Sequence, residues 1–480
     1  MNILLIMTDQ HRADALGCCG NKSIETPNLD WIASQGTVFH RAYTPCPSCI
    51  PARACLITGM TPWNVGILGM GRGQGPMGTG FAHTLPGELS AAGYHSQGIG
   101  KMHFFPQRTL NGFHHTVLDE SGRSEDRNFV SDYVQWFEKN KTGDYGIIDH
   151  GLDWNSWMAR PYHAPEFLHP TFWTASESIK FLKQRDPVKP FFLKMSFERP
   201  HSPYDPPSYY YDLYKDREVP KPYIGDWDQI HHVANASSPV TWRGERNELE
   251  TMRARRAYYG SITFIDQQIG RVLMYLQNEN LMKSTMIIFT SDHGDMLGDH
   301  YLWRKTYAYE GSAGIPLIIR LPGSGNGLQK ECYQPVAIQD IMPTVLEAAE
   351  LPVPDTVDGL SLLPLMSGNF TNWREYVHGE HSTCYDEIQE MQFLTDGKMK
   401  YIWFPRTGAE QLFNLMSDPG ECDDLHEQTA YQSELAKWRS RLIKELEPRN
   451  AGLTQDDKLV CQAGKGPIVS PHYSKDSGTA

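Results

Sequence analysis

Two apolar runs, each followed by an acidic side chain, constrain the fold of this chain more than any other feature. Residues 3–8 read Ile-Leu-Leu-Ile-Met-Thr and lead into Asp9, whereas residues 285–290 read Thr-Met-Ile-Ile-Phe-Thr and lead, one position later, into Asp292. A short run that is apolar on both faces is typical of a parallel strand buried between helices. The two runs therefore predict an α/β fold in which both are central strands.

The carboxyl ends of these two strands are predicted to form a divalent metal site. Ligands of open α/β sheets bind outside the carboxyl ends of the strands. Asp9 alone would more often be a helix cap or turn residue, but each strand supplies an acid and a neutral ligand, Gln10 or His293, at the same edge. Carboxylate and amide oxygens favour Ca²⁺, and the histidine nitrogen leaves Mn²⁺ as an alternative.

Residues 49–59 read Cys-Ile-Pro-Ala-Arg-Ala-Cys-Leu-Ile-Thr-Gly, a pattern that a purely structural role does not fully explain. Pro51 suits the first turn of a helix and Gly59 suits its C-terminal cap, so a loop that enters a helix explains both. That interpretation does not explain Arg53, a charged side chain in an otherwise apolar turn that faces back towards Cys49.

The segment resembles the signature of type I sulfatases, C-x-P-x-R-x-x-x-L-T-G, with Ile57 in place of the usual Leu. In that family the cysteine is oxidised after synthesis to formylglycine, an aldehyde that hydrates to a gem-diol. The resemblance implies that Cys49 is this precursor and that a formylglycine-generating maturase acts on the chain. Cys46 and Cys49 also have the C-x-x-C spacing of a redox pair, but Pro51 and Arg53 favour formylglycine, and no second C-x-x-C completes a zinc site.

Three further motifs follow in the order in which sulfatases carry them. The run 100–103 matches G-K-x-H, the run 200–203 matches P-H-x-P, and the run 298–305 matches G-[ED]-H-x-x-x-x-K. The resemblance implies active-site roles for their polar residues, which are Lys101, His103, His201 and Lys305. It assigns the metal to Asp9, Gln10, Asp292 and His293, with the modified Cys49 as a further oxygen ligand.

The resemblance implies an alkaline phosphatase-like fold and a sulfuric ester hydrolase. Its substrate would be a sulfated carbohydrate, an aryl sulfate or a steroid sulfate. Arg53 is expected to steady the diol and the metal, and Lys101 and Lys305 to neutralise charge on the transferring group. His201, with Lys305 as an alternative, is expected to protonate the leaving oxygen, and His103 to act as the base that expels sulfate.

Two other functions stay open from the sequence. Many sulfatases have Asp at the position of Gln10 and Asn at that of His293. The Gln and His choices occur in the branch that contains phosphonate monoester hydrolases, and His also in iduronate-type sulfatases. A phosphonate or phosphate ester hydrolase is therefore the alternative, although Lys101 favours a true sulfatase. A catalytically silent binding protein on the same fold is a third hypothesis, against which the full set of polar residues counts.

Composition and cysteine usage argue against a nucleic-acid partner and a membrane span, and they predict a cellular compartment. The formal charge of −13 argues against a nucleic-acid partner but not against an anionic substrate, because a few local cations can reverse the potential in one pocket. The chain has no run of about 18 apolar residues, so no membrane span is expected. Its nine cysteines are odd in number and show no paired spacing, and no secretory pattern follows Met1. We therefore expect a cytoplasmic protein.

The chain is long enough for one large domain and a smaller one. We expect a catalytic α/β domain over 1–375, with a large mixed, mostly parallel sheet flanked by helices. A smaller α+β subdomain with an antiparallel sheet and a helix is expected over 376–448, where Asp396-Gly397 predicts a hairpin. The tail over 449–480 shows no period and is expected to be irregular, with a possible role as the arm of a homo-oligomer. The resemblance extends from residue 1 to about 448.

A glycine-rich stretch between Gly66 and Gly80 contains the letters of a dinucleotide-binding fingerprint at Gly73, Gly75 and Gly78. We reject that interpretation because no strand precedes the motif and Pro76 lies within it. A loop beside the active site is the better prediction.

Overall fold

The computed structural model describes residues 1–70, 80–120, 128–233, 238–323, 328–386 and 389–473. The predicted fingerprint-like loop at Gly73, Gly75 and Gly78 lies outside these ranges. Within them, no helix combines the length and the apolarity that a membrane span requires. All nine cysteines lie in the described residues, and all are free thiols.

The described residues form four β-sheets and a set of helices that cover the largest sheet. The strands, in chain order, are β1 (Asn2–Asp9), β2 (Thr37–Phe39), β3 (Ala42–Tyr43), β4 (His95–Gly100), β5 (His115–Leu118), β6 (Phe191–Pro200), β7 (Thr285–Ser291), β8 (Leu317–Arg320), β9 (Glu331–Cys332), β10 (Val336–Ala337), β11 (Val377–His381), β12 (Met391–Thr395), β13 (Met399–Trp403), β14 (Glu410–Asn414), β15 (Thr454–Gln455) and β16 (Lys458–Leu459). The α-helices are α1 (Pro27–Ser34), α2 (Cys49–Thr58), α3 (Pro62–Val65), α4 (Leu85–Ala91), α5 (Asp132–Asn140), α6 (Pro170–Gln184), α7 (Ser208–Tyr214), α8 (Glu248–Asn278), α9 (Glu310–Ala313), α10 (Ile341–Ala348), α11 (Leu363–Met366) and α12 (Gln432–Leu446).

The largest sheet has eight strands in the order β5-β4-β6-β1-β7-β8-β2-β9. The block from β5 to β7 is parallel throughout, whereas β8 runs antiparallel to both of its neighbours. β1 lies inside the parallel block, with Thr8 opposite Ser291 of β7 and Asp9 opposite Pro200 of β6. The prediction of a mixed, mostly parallel sheet is therefore confirmed.

Alternate residues of β1 face two different apolar layers, which explains why the strand is apolar throughout. Leu5 and Met7 pack in the cluster that includes residues of α2, α4 and α10. Leu4 and Ile6 pack in the cluster that includes residues of α1, α6 and α8. The sheet is therefore the middle layer of an α/β/α sandwich, and its polar groups collect at the strand ends.

Two elements have boundaries that bear on the motifs and the core. β6 extends to Pro200, so part of the P-H-x-P motif belongs to the strand itself. Helix α10 is preceded by a 3₁₀ turn at Ile338–Asp340. The Asp340 carboxylate accepts a hydrogen bond from the Ala337 N–H at 2.8 Å, which satisfies an amide before the turn and fixes its start.

The C-terminal part forms the predicted antiparallel sheet and helix. Strands β11 to β14 pair in sequence order, and the hairpin between β12 and β13 turns at Asp396-Gly397. Gly397 has φ +73°, a left-handed conformation that favours glycine. Helix α12 packs against this sheet through Trp438 and Leu442. This smaller α+β unit confirms the second half of the predicted fold class.

Buried contacts join the antiparallel sheet to segments that follow β7 of the large sheet. Phe393 and Phe413 share an apolar cluster with Met296, which lies in the loop after β7. Lys400 is fully buried, and its Nζ lies 2.7 Å from Glu310 Oε1 and 2.8 Å from Glu421 Oε1. A buried ammonium between two carboxylates fixes the position of the two segments relative to each other, because separating either partner would leave an uncompensated buried charge.

The segment after residue 449 returns to the large domain. It first forms the short β15–β16 hairpin. Further along, the backbone oxygen of Ile468 accepts a hydrogen bond from the Leu68 N–H at 2.8 Å. The Ser470 hydroxyl donates to Trp63 O at 2.6 Å. The expected irregular tail is thus partly ordered against α3, and its role in an oligomer stays a prediction.

The buried lysine of β6 gives a test of the core. Lys194 is 1 % exposed, and its Nζ lies 3.4 Å from Met102 Sδ. Burial, aided by the Arg53 charge, holds the pKa of Lys194 well below its usual range. In the unfolded chain this lysine keeps a pKa of about 10.4, so below that pH the unfolded state binds more protons and burial of Lys194 destabilises the fold.

We expect Lys194→Met to raise the melting temperature at pH 7, because it removes this desolvation penalty and fills a similar volume. The gain should shrink as pH rises from 7 towards 10, since the unfolded lysine then also loses its proton. Thermal unfolding of both proteins across that range measures the difference. A gain that is constant with pH would contradict a neutral Lys194 in the folded state.

Candidate active site

Four parallel strands deliver polar residues to one edge of the large sheet. Since β4, β6, β1 and β7 are parallel neighbours, their carboxyl ends lie side by side. The residues that close or follow these strands are Asp9 (β1), Lys101 (β4), His201 (β6) and Asp292 (β7). The strand order therefore brings together motifs that lie far apart in the sequence.

Four of the predicted metal ligands form one buried group. The ligand atoms of Asp9, Cys49, Asp292 and His293 all lie within 4.8 Å of one another. None of the four residues is more than 1 % exposed. Two carboxylates, an imidazole and one further donor are a suitable set for a divalent cation. The residues therefore fit the predicted metal site.

His293 is oriented for this role by the backbone carbonyl of the next residue. Its Nδ1 lies 2.8 Å from Gly294 O, and because a carbonyl only accepts, Nδ1 carries the hydrogen. The lone pair on Nε2 then faces Cys49 Sγ at 3.2 Å. Burial lowers the pKa of His293, but Asp292 and Cys49 raise it by more. The same negative charges favour a cation at Nε2.

Cys49 lies at the first position of α2 and is 1 % exposed. Its Sγ is 2.9 Å from Lys305 Nζ and 3.7 Å from Asp9 Oδ1. Burial and the Asp9 carboxylate raise the pKa of the thiol, whereas Lys305, Lys101 and His293 lower it by more, so the net pKa lies below its usual range. The neighbourhood therefore stabilises negative charge at this side chain.

Arg53 connects the two acids that close β1 and β7. Its Nε donates to Asp292 Oδ2 at 2.8 Å, and its Nη2 donates to Asp9 Oδ2 at 3.0 Å. Its Nη1 donates to the Ser196 hydroxyl at 2.9 Å and to the backbone oxygen of Lys101. Arg53 is one helical turn beyond Cys49, which explains why one helix face carries both.

The two lysines contact different members of the buried group. Lys101 Nζ is 2.7 Å from Asp9 Oδ2. Lys305 Nζ is 2.9 Å from His201 Nε2 as well as 2.9 Å from Cys49 Sγ. Burial raises the pKa of Asp9, but the charges of Lys101, Lys305 and Arg53 together lower it by more, so the pKa lies well below its usual range. Asp9 is therefore ionised.

His201 accepts a hydrogen bond rather than donating one towards the site. Its Nδ1 lies 2.7 Å from Ser202 O and so carries the hydrogen, which leaves the Nε2 lone pair for Lys305. Burial, with the charges of Lys305 and Lys101, holds the pKa of His201 well below its usual range. The proton nearest the reacting position thus belongs to Lys305, which the sequence had given as the alternative to His201.

His103 is buried on the same turn as Lys101 and has φ +57°. Its N–H donates to both carboxylate oxygens of Glu120, at 3.2 and 3.1 Å, and the Met102 N–H donates to Glu120 Oε1 at 3.1 Å. Glu120 therefore fixes the turn that carries Lys101 and His103. The role of His103 as a base stays a prediction.

The sequence did not identify three residues that support the site. Ser196 lies within β6, Glu120 follows β5 in a stretch that shows no motif, and His381 belongs to the antiparallel sheet. His381 Nε2 lies 2.8 Å from the hydroxyl of Ser48, the residue before Cys49. None of these contacts has a local sequence signal, because each joins segments that are distant in the chain.

Comparisons with known proteins show which family and fold the chain shares. The family model described as "Sulfatase" matches residues 1–351, and the model described as "N-sulphoglucosamine sulphohydrolase, C-terminal" matches residues 298–448. An arylsulfatase of Clostridium perfringens is 44% identical over 472 residues, which cover 96% of this chain and 97% of the relative.

Two solved structures share the fold. A phosphonate monoester hydrolase of Agrobacterium radiobacter superposes with a TM-score of 0.76 at 24% identity and covers 96% of this chain and 100% of its own. BT4656, in complex with its substrate D-glucosamine-2-N,6-O-disulfate, superposes with a TM-score of 0.72 at 21% identity and covers 94% of this chain and 98% of its own. At these identities the two likenesses establish the fold alone.

We expect Asp292→Asn to weaken divalent cation binding by at least about tenfold, because it removes one of two carboxylate charges and keeps the shape. Isothermal titration of the chelator-treated protein with Ca²⁺ and with Mn²⁺ measures this. Asp266→Asn is the matched control, since Asp266 is a buried acid that accepts hydrogen bonds from the N–H groups of Asn28 and Leu29 on α1. Equal affinity of Asp292→Asn and wild type would contradict the metal assignment.

Proposed function

This chain belongs to the sulfatase family, and we propose that it hydrolyses sulfate esters through a formylglycine formed at Cys49 beside a bound divalent cation. The family match and the arylsulfatase relative at 44% identity make the protein a sulfatase enzyme. The observation that carries the finer proposal is the position of Cys49. Its sulfur lies among Asp9, His293 and Lys305 at the carboxyl edge of the sheet.

A formylglycine hydrate at residue 49 would supply two hydroxyls, one as the nucleophile towards sulfur and one whose proton loss would allow sulfate to leave. A divalent cation, Ca²⁺ or Mn²⁺, would supply positive charge that lowers the pKa of that nucleophile and polarises the sulfate oxygens. Asp9, Asp292, His293 and the oxidised residue 49 would hold the cation, with Gln10 as a further oxygen ligand. Since Cys49 is 1 % exposed, the maturase would act before the chain folds.

Three buried cations supply the electrostatic part of the mechanism. Arg53 balances Asp9 and Asp292, while Lys101 contacts Asp9 and Lys305 contacts residue 49. Positive charge that is fixed in a buried site stabilises the negative charge that develops on a transferring sulfuryl group, with no reorganisation at the moment of reaction. The overall charge of −13 does not oppose this, because these cations are local to the site.

Lys305 is the proton donor that the geometry favours for the leaving oxygen. Its Nζ contacts both Cys49 Sγ and His201 Nε2 at 2.9 Å. His201 holds that ammonium in place by accepting a hydrogen bond at its Nε2 lone pair. His103 is kept as the proposed base for the release of sulfate.

Aromatic side chains in the neighbourhood of residue 49 support an aryl or sugar substrate. The rings of Trp242 and Tyr385 stack at 5.8 Å, and the Arg304 guanidinium lies 4.6 Å from the Tyr385 ring centroid. Burial and the charge of Cys49 raise the pKa of Tyr385 and the Arg304 charge opposes this, so the rings lie within electrostatic reach of residue 49. Flat apolar walls with a cation suit aryl and carbohydrate groups that carry an anionic ester.

A phosphonate or phosphate ester hydrolase is the second candidate. Gln10 and His293 are the residues that favour it, and the phosphonate monoester hydrolase with a TM-score of 0.76 shows that the same fold hosts that activity. The buried contact between Lys101 and Asp9 favours the sulfatase, since it keeps the second cation of the G-K-x-H motif at the site.

Parallel assays with 4-nitrophenyl sulfate and a phenylphosphonate monoester test the proposal. We expect kcat/KM to be higher for the sulfate by at least about tenfold, a difference of about 1.4 kcal/mol in transition-state stabilisation. Peptide mass spectrometry should show Cys49 converted to the aldehyde in proportion to activity. Cys49→Ala should be inactive, whereas Cys46→Ala, a matched buried thiol, should keep the activity. Higher kcat/KM for the phosphonate, or full activity with unmodified Cys49, would contradict the proposal.

The role of the His201–Lys305 pair is tested with leaving groups of different basicity. We expect His201→Ala to reduce kcat for an alkyl or sugar sulfate by about 10²–10⁴, because a poor leaving group requires protonation. The loss for 4-nitrophenyl sulfate should be much smaller, since that phenolate leaves without a proton. Steady-state kinetics of wild type and variant on both substrates measure the ratio. An equal loss for both would show that His201 takes no part in protonating the leaving group.

A further inference from the structure

We infer that Asp295 is a positioning residue that fixes the orientation of the Gln10 amide, so that the carbonyl oxygen and not the amide nitrogen faces the metal site. Gln10 has φ +68° and its backbone N–H donates to Asp292 Oδ1 at 3.1 Å, so its side chain starts beside the buried ligand group. An amide side chain presents either an oxygen or an NH₂ group to a neighbour, and only the oxygen binds a cation. The proposed ligand therefore works in one of two orientations.

The contacts of Gln10 select the productive orientation. Its Nε2 donates to Asp295 Oδ2 at 2.5 Å, and its Oε1 accepts from Lys305 Nζ at 3.3 Å. A rotation by 180° would place Oε1 against a carboxylate and Nε2 against an ammonium, so both contacts would become repulsive. All three residues are buried, where such repulsion is poorly screened.

Asp295 is itself held in a fixed orientation. Its Oδ1 accepts from the backbone N–H groups of Leu297 and Arg304, each at 3.0 Å. Its Oδ2 accepts from the Tyr204 hydroxyl at 2.6 Å as well as from Gln10. Four donors thus converge on one carboxylate that is fully buried. Asp295 lies outside the group of candidate ligands, so its effect on the metal passes through Gln10.

Asp295→Asn tests this inference with almost no change of shape. The two backbone N–H groups at Oδ1 pin the carbonyl oxygen of the new amide, so its NH₂ group would face Gln10. Either Gln10 rotates and presents its own NH₂ to the cation, or two NH₂ groups face each other. Both outcomes weaken the cation site, and we expect the Kd for Mn²⁺ and Ca²⁺ to rise by about 10–100-fold. Isothermal titration of the chelator-treated full chain measures it.

Two further variants separate orientation from general disruption. Tyr204→Phe removes the other donor to the same oxygen but leaves the Gln10 contact intact, so its metal Kd should stay near that of wild type. Gln10→Glu should improve metal binding more in the Asp295→Asn background than in wild type. In that background the amide introduced at position 295 would donate to the new carboxylate, whereas in wild type two carboxylates would meet. The double-mutant cycle should therefore show favourable coupling.

This inference rests on the proposed metal site, and its failure can be told apart from failure of the proposed function. If wild type hydrolyses 4-nitrophenyl sulfate and binds metal but Asp295→Asn has an unchanged Kd, the positioning role is wrong and the sulfatase proposal stands. The inference is also overturned if Tyr204→Phe weakens metal binding as much as Asp295→Asn, or if the effects of Gln10→Glu and Asp295→Asn are additive. Melting temperatures of all variants check that each is folded.

Discussion

The arrangement of the active site depends on the buried contact of Arg53 with Asp9 and Asp292. Two carboxylates at the ends of neighbouring strands repel each other, and burial makes each charge costly unless it is paired. Arg53 reaches both at 2.8–3.0 Å and comes from the helix that begins at Cys49. One guanidinium therefore fixes the position of residue 49, the proposed nucleophile, relative to both acids. Removal of one partner from such a buried group typically costs about 3–5 kcal/mol.

The balance of charge around this contact explains how an acidic protein can act on an anionic ester. Asp9 and Asp292 are countered by Arg53, Lys101 and Lys305, all of which are buried. These cations lower the pKa of Asp9 and of Cys49, so negative charge is stabilised where the reaction needs it. The net charge of the whole chain says little about a site in which buried side chains supply the field.

The antiparallel sheet contributes to the site as well as to the fold. The Glu380 N–H donates to Pro45 O at 2.8 Å, and His381 contacts the hydroxyl of Ser48, so β11 braces the loop that enters α2. Tyr385, in the loop after β11, stacks with Trp242 and lies under the guanidinium of Arg304, the residue before Lys305. The smaller unit thus supports the proposed nucleophile and supplies part of the proposed substrate wall.

The sequence by itself determined the central strands and the family, and it predicted the candidate site residues. Apolar runs closed by acids indicate buried strands with polar ends, and the motif around Cys49 predicts the chemistry, because both signals are local. The tertiary structure alone decided which neighbours each residue has. It made His201 an acceptor and Lys305 the nearest proton source, and it placed Asp295 against Gln10. These contacts join residues about 100 to 300 positions apart, and strand order and packing, which no local pattern encodes, bring them together.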